Sequence, residues 1–451
     1  MTTRSPALSR LLADYGMVGV LALLCAFFSF ATHTEQHPTG ADAARQLAAT
    51  ITGQFGKSAR VLIAVPNQPD AAAFAESLQA ALAKDGATVV ATVRGEPKDA
   101  RTALQTAASA GKLDAIATTQ ASATWLVFAD LATDFPALGT PRVVQPQTYR
   151  WPNFLKRDNL LNIANQIAVI AIVAIGMTLV IVGGGIDLSV GSLIALAAVL
   201  VALFIRDFAG AQQAGAFGMT LACVGAILIV GGAGAVNGAL VTVFHLPPFI
   251  VTLAMMLVAS GAAYLLTHGQ SVYQVPDSFV WLGRGADFFS LPNAVLLMAL
   301  LYGAAHLLMS RTVLGRWLYA VGGNRQAARY SGVPVRRVLF LTYVASGLLA
   351  GLGGVVLASQ LKSGSPTFGQ MYELYVIAAV VVGGASLNGG TGRMFGTLTG
   401  AFIIAVIQNG MNLMNVESYT QKVVLGLVIL GAVLLDLLRQ RGWKLRLAAT
   451  E

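Results

Sequence analysis

Residues 177–192 read MTLVIVGGGIDLSVGS, and the reading of this stretch decides the fold. Apolar runs flank it on both sides, so its glycines and Asp187 fall at or inside a membrane. An aspartate at the centre of a spanning helix costs about 2.5–3.5 kcal/mol, which makes such a residue a functional candidate by default. Gly183, Gly184 and Gly185 are each expected to weaken a helix by about 1 kcal/mol relative to Ala, so the backbone should unwind there. Unwound backbone at membrane depth survives only where protein or a water-filled cavity covers it. Asp187 would then precede the next helix, where the macrodipole favours a negative charge, with Ser189 or Ser192 placed to cap it. Two compatible readings stay open: Asp187 as an N-cap at a tight interhelical turn, and Asp187 in a gating or pathway role.

The 451 residues are 56% hydrophobic and only 11% charged, against about 25% charged in a soluble globular protein. The chain therefore reads as an all-α polytopic membrane protein. Apolar runs lie near 15–32, 160–182, 188–205, 217–236, 248–267, 291–309, 338–357, 373–385, 394–412 and 421–438, about ten spans. The run at 373–385 is short and must borrow neighbours. Cys25 and Cys223 sit in apolar runs and suggest no disulfide framework, metal site or cofactor.

The net charge of +9 would suit nucleic acid, but its distribution argues otherwise. Residues 33–159 carry 12 Lys/Arg against 11 Asp/Glu, and the excess sits in short segments between or beyond the apolar runs. With the N-terminus in the cytoplasm, the inner segments hold Arg4 and Arg10, then Arg311, Arg316, Arg325, Arg329, Arg336 and Arg337, then Arg393, Arg439, Arg441, Lys444 and Arg446. The short outer loops hold only Arg206, Arg284 and Lys362, with Lys422 at a span edge. This bias puts both termini inside. The expected divisions are 1–32, a cytoplasmic N-terminus and first helix; 33–159, an extracytoplasmic insert; 160–438, the membrane domain; and 439–451, a basic cytoplasmic tail. Arg4, Arg10, the first apolar run and Ser29-Phe30-Ala31 also fit a cleavable signal peptide, although the run is slightly long for one, which favours an uncleaved helix.

The insert has its own pattern. Strands are expected at 60–66, 87–93, 113–118 and 141–144, and helices at 70–84, 97–110 and 120–135, an alternation that implies a parallel α/β sheet. Gly53-Gln54-Phe55-Gly56-Lys57-Ser58 imitates a phosphate-binding loop. Position 51 is Ile rather than Gly, and a strand follows instead of a helix, so nucleotide binding is not expected there. The insert shows no catalytic constellation in its residue types.

Met177–Ser192 resembles the signature of the ribose/xylose-type permease subunits of bacterial ATP-binding-cassette importers. Four further stretches agree: GAVNG at 234–238 leading to PFIVTL at 248–253, GRWLYAVGGNRQAARYSGV at 315–333, VVGGASLNGGTGRMFG at 381–396, and NGMNL at 409–413. The resemblance covers about 160–440 and implies a type II importer-like permease. It also implies a separate ATPase subunit, a periplasmic substrate-binding protein and a second permease subunit, most simply a homodimer. The permease itself would catalyse nothing and would move a sugar or similar polar solute across the inner membrane.

The resemblance further implies that the 315–333 loop carries a short helix seated in the ATPase. Gly315, Gly322, Gly323, Asn324, Arg325, Arg329 and Gly332 are its candidate residues, with Gly322-Gly323-Asn324 as a turn and a helix from Arg325. Gln326 stands where an acidic residue is common in the family. Intramembrane polar residues Asn237, Thr252, Ser260, Glu373, Asn388, Asn409 and Asn412 are candidates for the solute path, against the alternative that each one bonds between helices or sits at a span end. Val182-Gly183-Gly184 and Val382-Gly383-Gly384 form similar breaks in the two halves. The usual ribose-type permease lacks a long first outer segment, so 33–159 departs from the pattern; a docking surface, a sensor, half of a sugar-binding protein and an inert spacer are all open for it. Two other classes remain: a membrane-anchored ligand sensor, which would need a cytoplasmic output domain, and an ion-coupled transporter, which would need more intramembrane carboxylates than Asp187 and Glu373.

Overall fold

The computed structural model describes residues 6–440; Arg4, Arg441, Lys444 and Arg446, with most of the expected basic tail, lie outside the described residues. The chain divides into two compact units, His33–Pro152 and the remainder.

The larger unit is helical. Among the described residues, seven helices are long and apolar enough to cross a membrane: Arg157–Val182, Val190–Phe208, Ala216–Thr242, Pro248–Thr267, Asn293–Arg311, Val335–Leu361 and Met394–Leu413. Three shorter apolar segments, Gly16–Ala31, Tyr372–Val382 and Ser418–Gly431, join them. Arg157–Val182 is buried on nearly every side and forms the hub. Ala216–Thr242 and Pro248–Thr267 are as apolar but largely exposed, as expected of helices whose outer faces meet lipid or another subunit.

Small residues set the closest approaches. A Cβ on Gly347 would stand 2.9 Å from the Gly234 Cα, and one on Gly400 would stand 2.0 Å from the Ala379 carbonyl oxygen. Backbones meet there as they do in small-residue membrane helix pairs. The helix ending at Ala31 is anchored by Phe28, which is buried and packs on Gly410. The chain leaves this unit at Thr32 and re-enters beside it: the Asn153 N–H donates to the Thr32 carbonyl at 3.0 Å and the Phe154 N–H to its hydroxyl at 3.1 Å.

The short run is a half-helix. Tyr372–Val382 has 11 residues, about 16 Å of rise, where a full span needs about 30 Å. The preceding segment, from Ser363 to Met371, is mostly buried irregular backbone that runs beside Val190–Phe208. Gly364 packs on Ala198 and Ala202, and Gly369 on Gly191 and Ile194. Gly364 is tied to Val272 by reciprocal backbone bonds of 2.8 and 2.9 Å. Irregular backbone is stable at such a place because protein covers it.

The smaller unit holds β1 (His33–Gln36), β2 (Arg60–Pro66), β3 (Thr88–Gly95), β4 (Ala115–Thr118), β5 (Arg142–Val144) and β6 (Tyr149–Pro152). Four of these form a parallel sheet in the order β3-β2-β4-β5, and β1 pairs antiparallel with β6. One face buries Leu47, Ile51, Phe74 and Leu78 from the helices Ala41–Phe55 and Pro69–Lys84. The other buries Leu104 of Pro97–Ser109 with Phe128, Leu131 and Leu138. The four expected strands of the sheet are present, but the single helix expected at 120–135 is not. That stretch is broken into Gln120–Ala123, Leu126–Phe128 and Leu131–Asp134, because Thr119 and Ser122 spend their side chains capping a first short turn and Asp130 starts another. Gly53 lies in the last turn of a helix that Gly56 ends at φ +87°, and β2 follows, so the phosphate-loop imitation has no phosphate-loop geometry.

Candidate functional site

The signature stretch folds in two parts. The helix ends at Val182, Gly183 and Gly184 turn the chain with Gly184 at φ +79°, and Gly185 bonds back to the Val180 carbonyl at 2.9 Å. Asp187 follows, with no solvent exposure. Its Oδ1 accepts from the Ser189 N–H at 3.0 Å and the Ser189 hydroxyl at 2.5 Å, and its Oδ2 accepts from the Ser346 hydroxyl at 2.8 Å. The carboxylate thus makes the turn that starts Val190–Phe208. Ser189 occupies the N-cap position, yet its hydroxyl bonds Asp187 rather than the helix.

Three other helices close on this turn. Asn237 donates to the Ser189 hydroxyl at 3.1 Å, and Thr252 donates to the Ile186 carbonyl at 3.3 Å. Tyr343 is buried here too, since a Cβ on Gly185 would stand 2.4 Å from its hydroxyl. Among the described residues, Asn237 Oδ1 and the Tyr343 hydroxyl have no hydrogen-bond partner, and no ion pair involves Asp187. Burying a carboxylate without a cation is expensive, and three hydrogen bonds offset part of that cost. Tyr343 and Ser346 belong to no motif, and no pattern in the sequence marks them.

The 315–333 segment meets the signature from the other side. Thr312 caps the helix Val313–Gly323 by accepting from the Gly315 N–H, and Asn324 caps Arg325–Tyr330 by accepting from the Ala327 N–H at 3.0 Å. Gly332 ends the short helix at φ +80°. Gly322 and Gly323 are helical rather than a turn, so the turn falls at Asn324. The glycine at 322 serves close approach: a Cβ there would lie 1.7 Å from the Val182 carbonyl oxygen and 2.5 Å from the Gly390 nitrogen. Arg325 donates to the carbonyls of Gly183 and Gly184 at 3.3 and 3.2 Å, while Arg329 and Tyr330 are exposed. The 381–396 loop completes the junction, with Gly389 against Gly184 and Gly390 donating to Val182 at 2.9 Å. Three motifs scattered along the sequence therefore meet at one glycine-lined point.

The remaining path candidates separate. Asn409 and Asn159 exchange two amide bonds of 2.8 and 3.0 Å, and Asn412 accepts from Gln421 at 2.8 Å, so both tie helices together. The Asn388 N–H bonds the Ser386 hydroxyl within the 381–396 loop. Glu373, Ser192 and Ser260 share a different place, a cavity of about 340 Å³ beside the half-helix.

The membrane part of the chain is similar in sequence to known proteins. The family described as branched-chain amino acid transport system / permease component matches residues 159–433. The ribose import permease protein RbsC of Escherichia coli K12 is 44% identical over 290 residues, which cover 63% of this chain and 87% of that protein. RbsC of Bacillus subtilis strain 168 is 44% identical over 287 residues, 63% of this chain and 86% of that protein. The D-allose transport system permease protein AlsC of Escherichia coli K12 is 36% identical over 283 residues, 63% of this chain and 84% of that protein. No solved structure matches.

Proposed function

The chain belongs to the permease family of ATP-binding-cassette sugar importers, and on that footing we propose that two copies of it form a path for a sugar or similar polar solute. It is a multi-pass protein of the bacterial inner membrane, works with an ATPase and a substrate-binding protein, and leaves ATP hydrolysis to the ATPase subunit. The observation that carries the mechanism is the bond from Arg325 to the carbonyls of Gly183 and Gly184. The helix Arg325–Tyr330 is exposed along Arg325, Gln326, Arg329 and Tyr330, a surface suited to the ATPase. Movement of that helix would pull directly on the break that precedes Asp187, so ATP-driven motion outside the bundle reaches the signature through one side chain and one glycine contact.

Orientation follows from charge. Arg311, Arg316, Arg325, Arg329, Arg336 and Arg337 sit around the coupling loop, which favours a cytoplasmic location for it and for both termini. The α/β unit His33–Pro152 is then extracytoplasmic, and we assign it to docking the binding protein. In open parallel sheets ligands lie at the carboxyl ends of the strands where the order reverses, here between β2 and β4. That place is filled by Ser122, whose hydroxyl donates to the Ala64 carbonyl at 2.8 Å, which favours a protein contact over a ligand pocket.

The test is uptake by proteoliposomes holding the permease with the ATPase and binding protein encoded beside it. ATP-dependent accumulation of a labelled monosaccharide is expected. Accumulation driven by an ion gradient without ATP would overturn the reading.

A further inference from the structure

The cavity beside the half-helix combines features the junction lacks. It is lined by Ser192, Met256, Ser260, Phe368, Gln370 and Glu373, level with the middle of Pro248–Thr267. Hydroxyls in neighbouring spans are satisfied internally: Thr178, Thr242 and Thr267 each donate to the carbonyl four residues earlier. Among the described residues, the side chains of Ser192, Ser260 and Gln370 make no hydrogen bond to protein, and the Glu373 carboxylate makes none to another residue. The place is an open cleft rather than an enclosed void, with Gln370 and Met371 exposed, and polar atoms left open among apolar helices in a bilayer are costly unless something else bonds them.

The backbone is bent to hold them there. Gly369 at φ +68° and Met371 at φ +64° turn the irregular segment into the half-helix. A methionine in the left-handed region costs about 1 kcal/mol or more, and strain of this kind concentrates where function requires it. Gly191 makes room for the result, because a Cβ there would stand 2.2 Å from Glu373 Oε2 and 2.6 Å from the Gly369 carbonyl oxygen. Membrane carriers commonly build solute sites at such interrupted helices.

We infer that this cavity is the solute-recognition site of the permease and that it takes a neutral monosaccharide. The inference rests on the sugar-importer reading above. The Glu373 carboxyl group accepts from sugar hydroxyls, in charge-assisted bonds when it is ionised, and it offers no positive charge to an anionic solute. Ser192, Ser260 and Gln370 supply both donors and acceptors, and Phe368 with Met256 offers an apolar surface to the C–H face of the ring. The volume of about 340 Å³ suits one small ligand.

The test uses the complete importer in proteoliposomes, with labelled D-ribose, D-allose and L-arabinose as probes, and reads uptake and ATPase activity together. Glu373→Gln should lower uptake of the carried sugar about tenfold, Glu373→Asp less, and Ser260→Ala about threefold, as lost bonds to a charged and a neutral partner predict. ATPase stimulation by the loaded binding protein should stay within about twofold of wild type in each. Wild-type uptake rates and sugar ranking in both Glu373→Gln and Ser260→Ala would overturn the site while leaving the importer reading intact. Failure of the wild-type importer to move any of the sugars with ATP would instead overturn the importer reading. Should Glu373→Gln not assemble, Ser260→Phe decides: by filling the cavity from another helix it should block uptake with ATPase activity retained, and unhindered uptake would overturn the proposal.

Discussion

The breaks at Val180–Gly185 and Val380–Ala385 have nearly the same backbone and different supports. In the first, Gly183 and Gly184 have φ of −70° and +79°, and the N–H groups of Gly184 and Gly185 return to the carbonyls of Ile181 and Val180, both at 2.9 Å. In the second, Gly383 and Gly384 have φ of −68° and +90°, and Gly384 and Ala385 return to Val381 and Val380 at 2.9 and 3.1 Å. Both use a left-handed glycine to satisfy the last helical carbonyls. Beyond the cap they diverge. Asp187 locks the first break into a buried polar cluster through side chains of Ser189 and Ser346. After the second, Gly389 and Gly390, at φ +88° and +74°, wedge backbone against Gly184, Gly322 and Gly323. One break is held by hydrogen-bonding side chains and the other by the absence of side chains, so substitutions should hurt them in different ways.

The largest effect is expected where the two breaks touch. Gly322→Ala would force a Cβ to within 1.7 Å of the Val182 carbonyl oxygen and 2.5 Å of the Gly390 nitrogen, both backbone atoms that cannot rotate away. A destabilisation of about 3 kcal/mol is expected, at the upper end of overpacking costs. Gly323→Ala is the control, with nothing within 4 Å of its added carbon. It should be neutral or stabilise the helix by up to about 1 kcal/mol. Thermal unfolding of the detergent-purified proteins measures both, and a tolerated Gly322→Ala would mean that the junction opens more readily than its contacts imply.

A middle-sized effect separates the supports. Asp187→Ala strips the acceptor from the Ser189 N–H and hydroxyl and from the Ser346 hydroxyl inside the bundle. Leaving buried donors unpaired should cost about 2 kcal/mol, and Asp187→Asn, which keeps one oxygen, about half as much. Leu387 holds the matching position after the second break and is half-buried with apolar neighbours. Leu387→Ala should cost about 1 kcal/mol from lost apolar burial alone. Equal unfolding shifts for Asp187→Ala and Leu387→Ala would erase the distinction between a side-chain lock and a backbone wedge.

How far the sequence reveals this arrangement depends on distance along the chain. The glycine breaks, the capped helix after Asn324 and the strands of the sheet are local, and local rules find them. The partners of Asp187 are not local: Ser346 lies 159 residues away, and nothing about an isolated serine in an apolar helix marks it. Gly322-Gly323 reads as a turn because glycine loosens helices, yet tertiary contact with Val182 requires glycine inside a helix. The shortness of the run at 373–385 is visible in the sequence, but counting it as a span that borrows neighbours misses the half-helix, and the cavity it forms with Ser192 and Ser260 depends on packing. Asn409 and Asn412 show the converse: polar residues in spans can be helix ties, and only their partners tell which are which.

The smallest effect on stability carries the sharpest functional contrast. Gly184→Ala and Gly384→Ala each place a side chain in the left-handed region, at a cost of about 1 kcal/mol that should be similar for both. The surroundings differ. A Cβ on Gly184 would stand 3.5 Å from the Arg325 guanidinium, and one on Gly384 would have nothing within 4 Å. Arg325 is exposed, so its bonds to Gly183 and Gly184 contribute little to folding, below about 1 kcal/mol. If those bonds transmit the motion of the Arg325–Tyr330 helix, Arg325→Ala and Gly184→Ala should both lower sugar moved per ATP hydrolysed, and Gly384→Ala should not. Uptake and ATPase activity measured on the same proteoliposomes give that ratio directly. An unchanged ratio in Arg325→Ala, or an equal fall in Gly384→Ala, would return the first break to a purely structural role and leave the glycine wedge as the route of coupling.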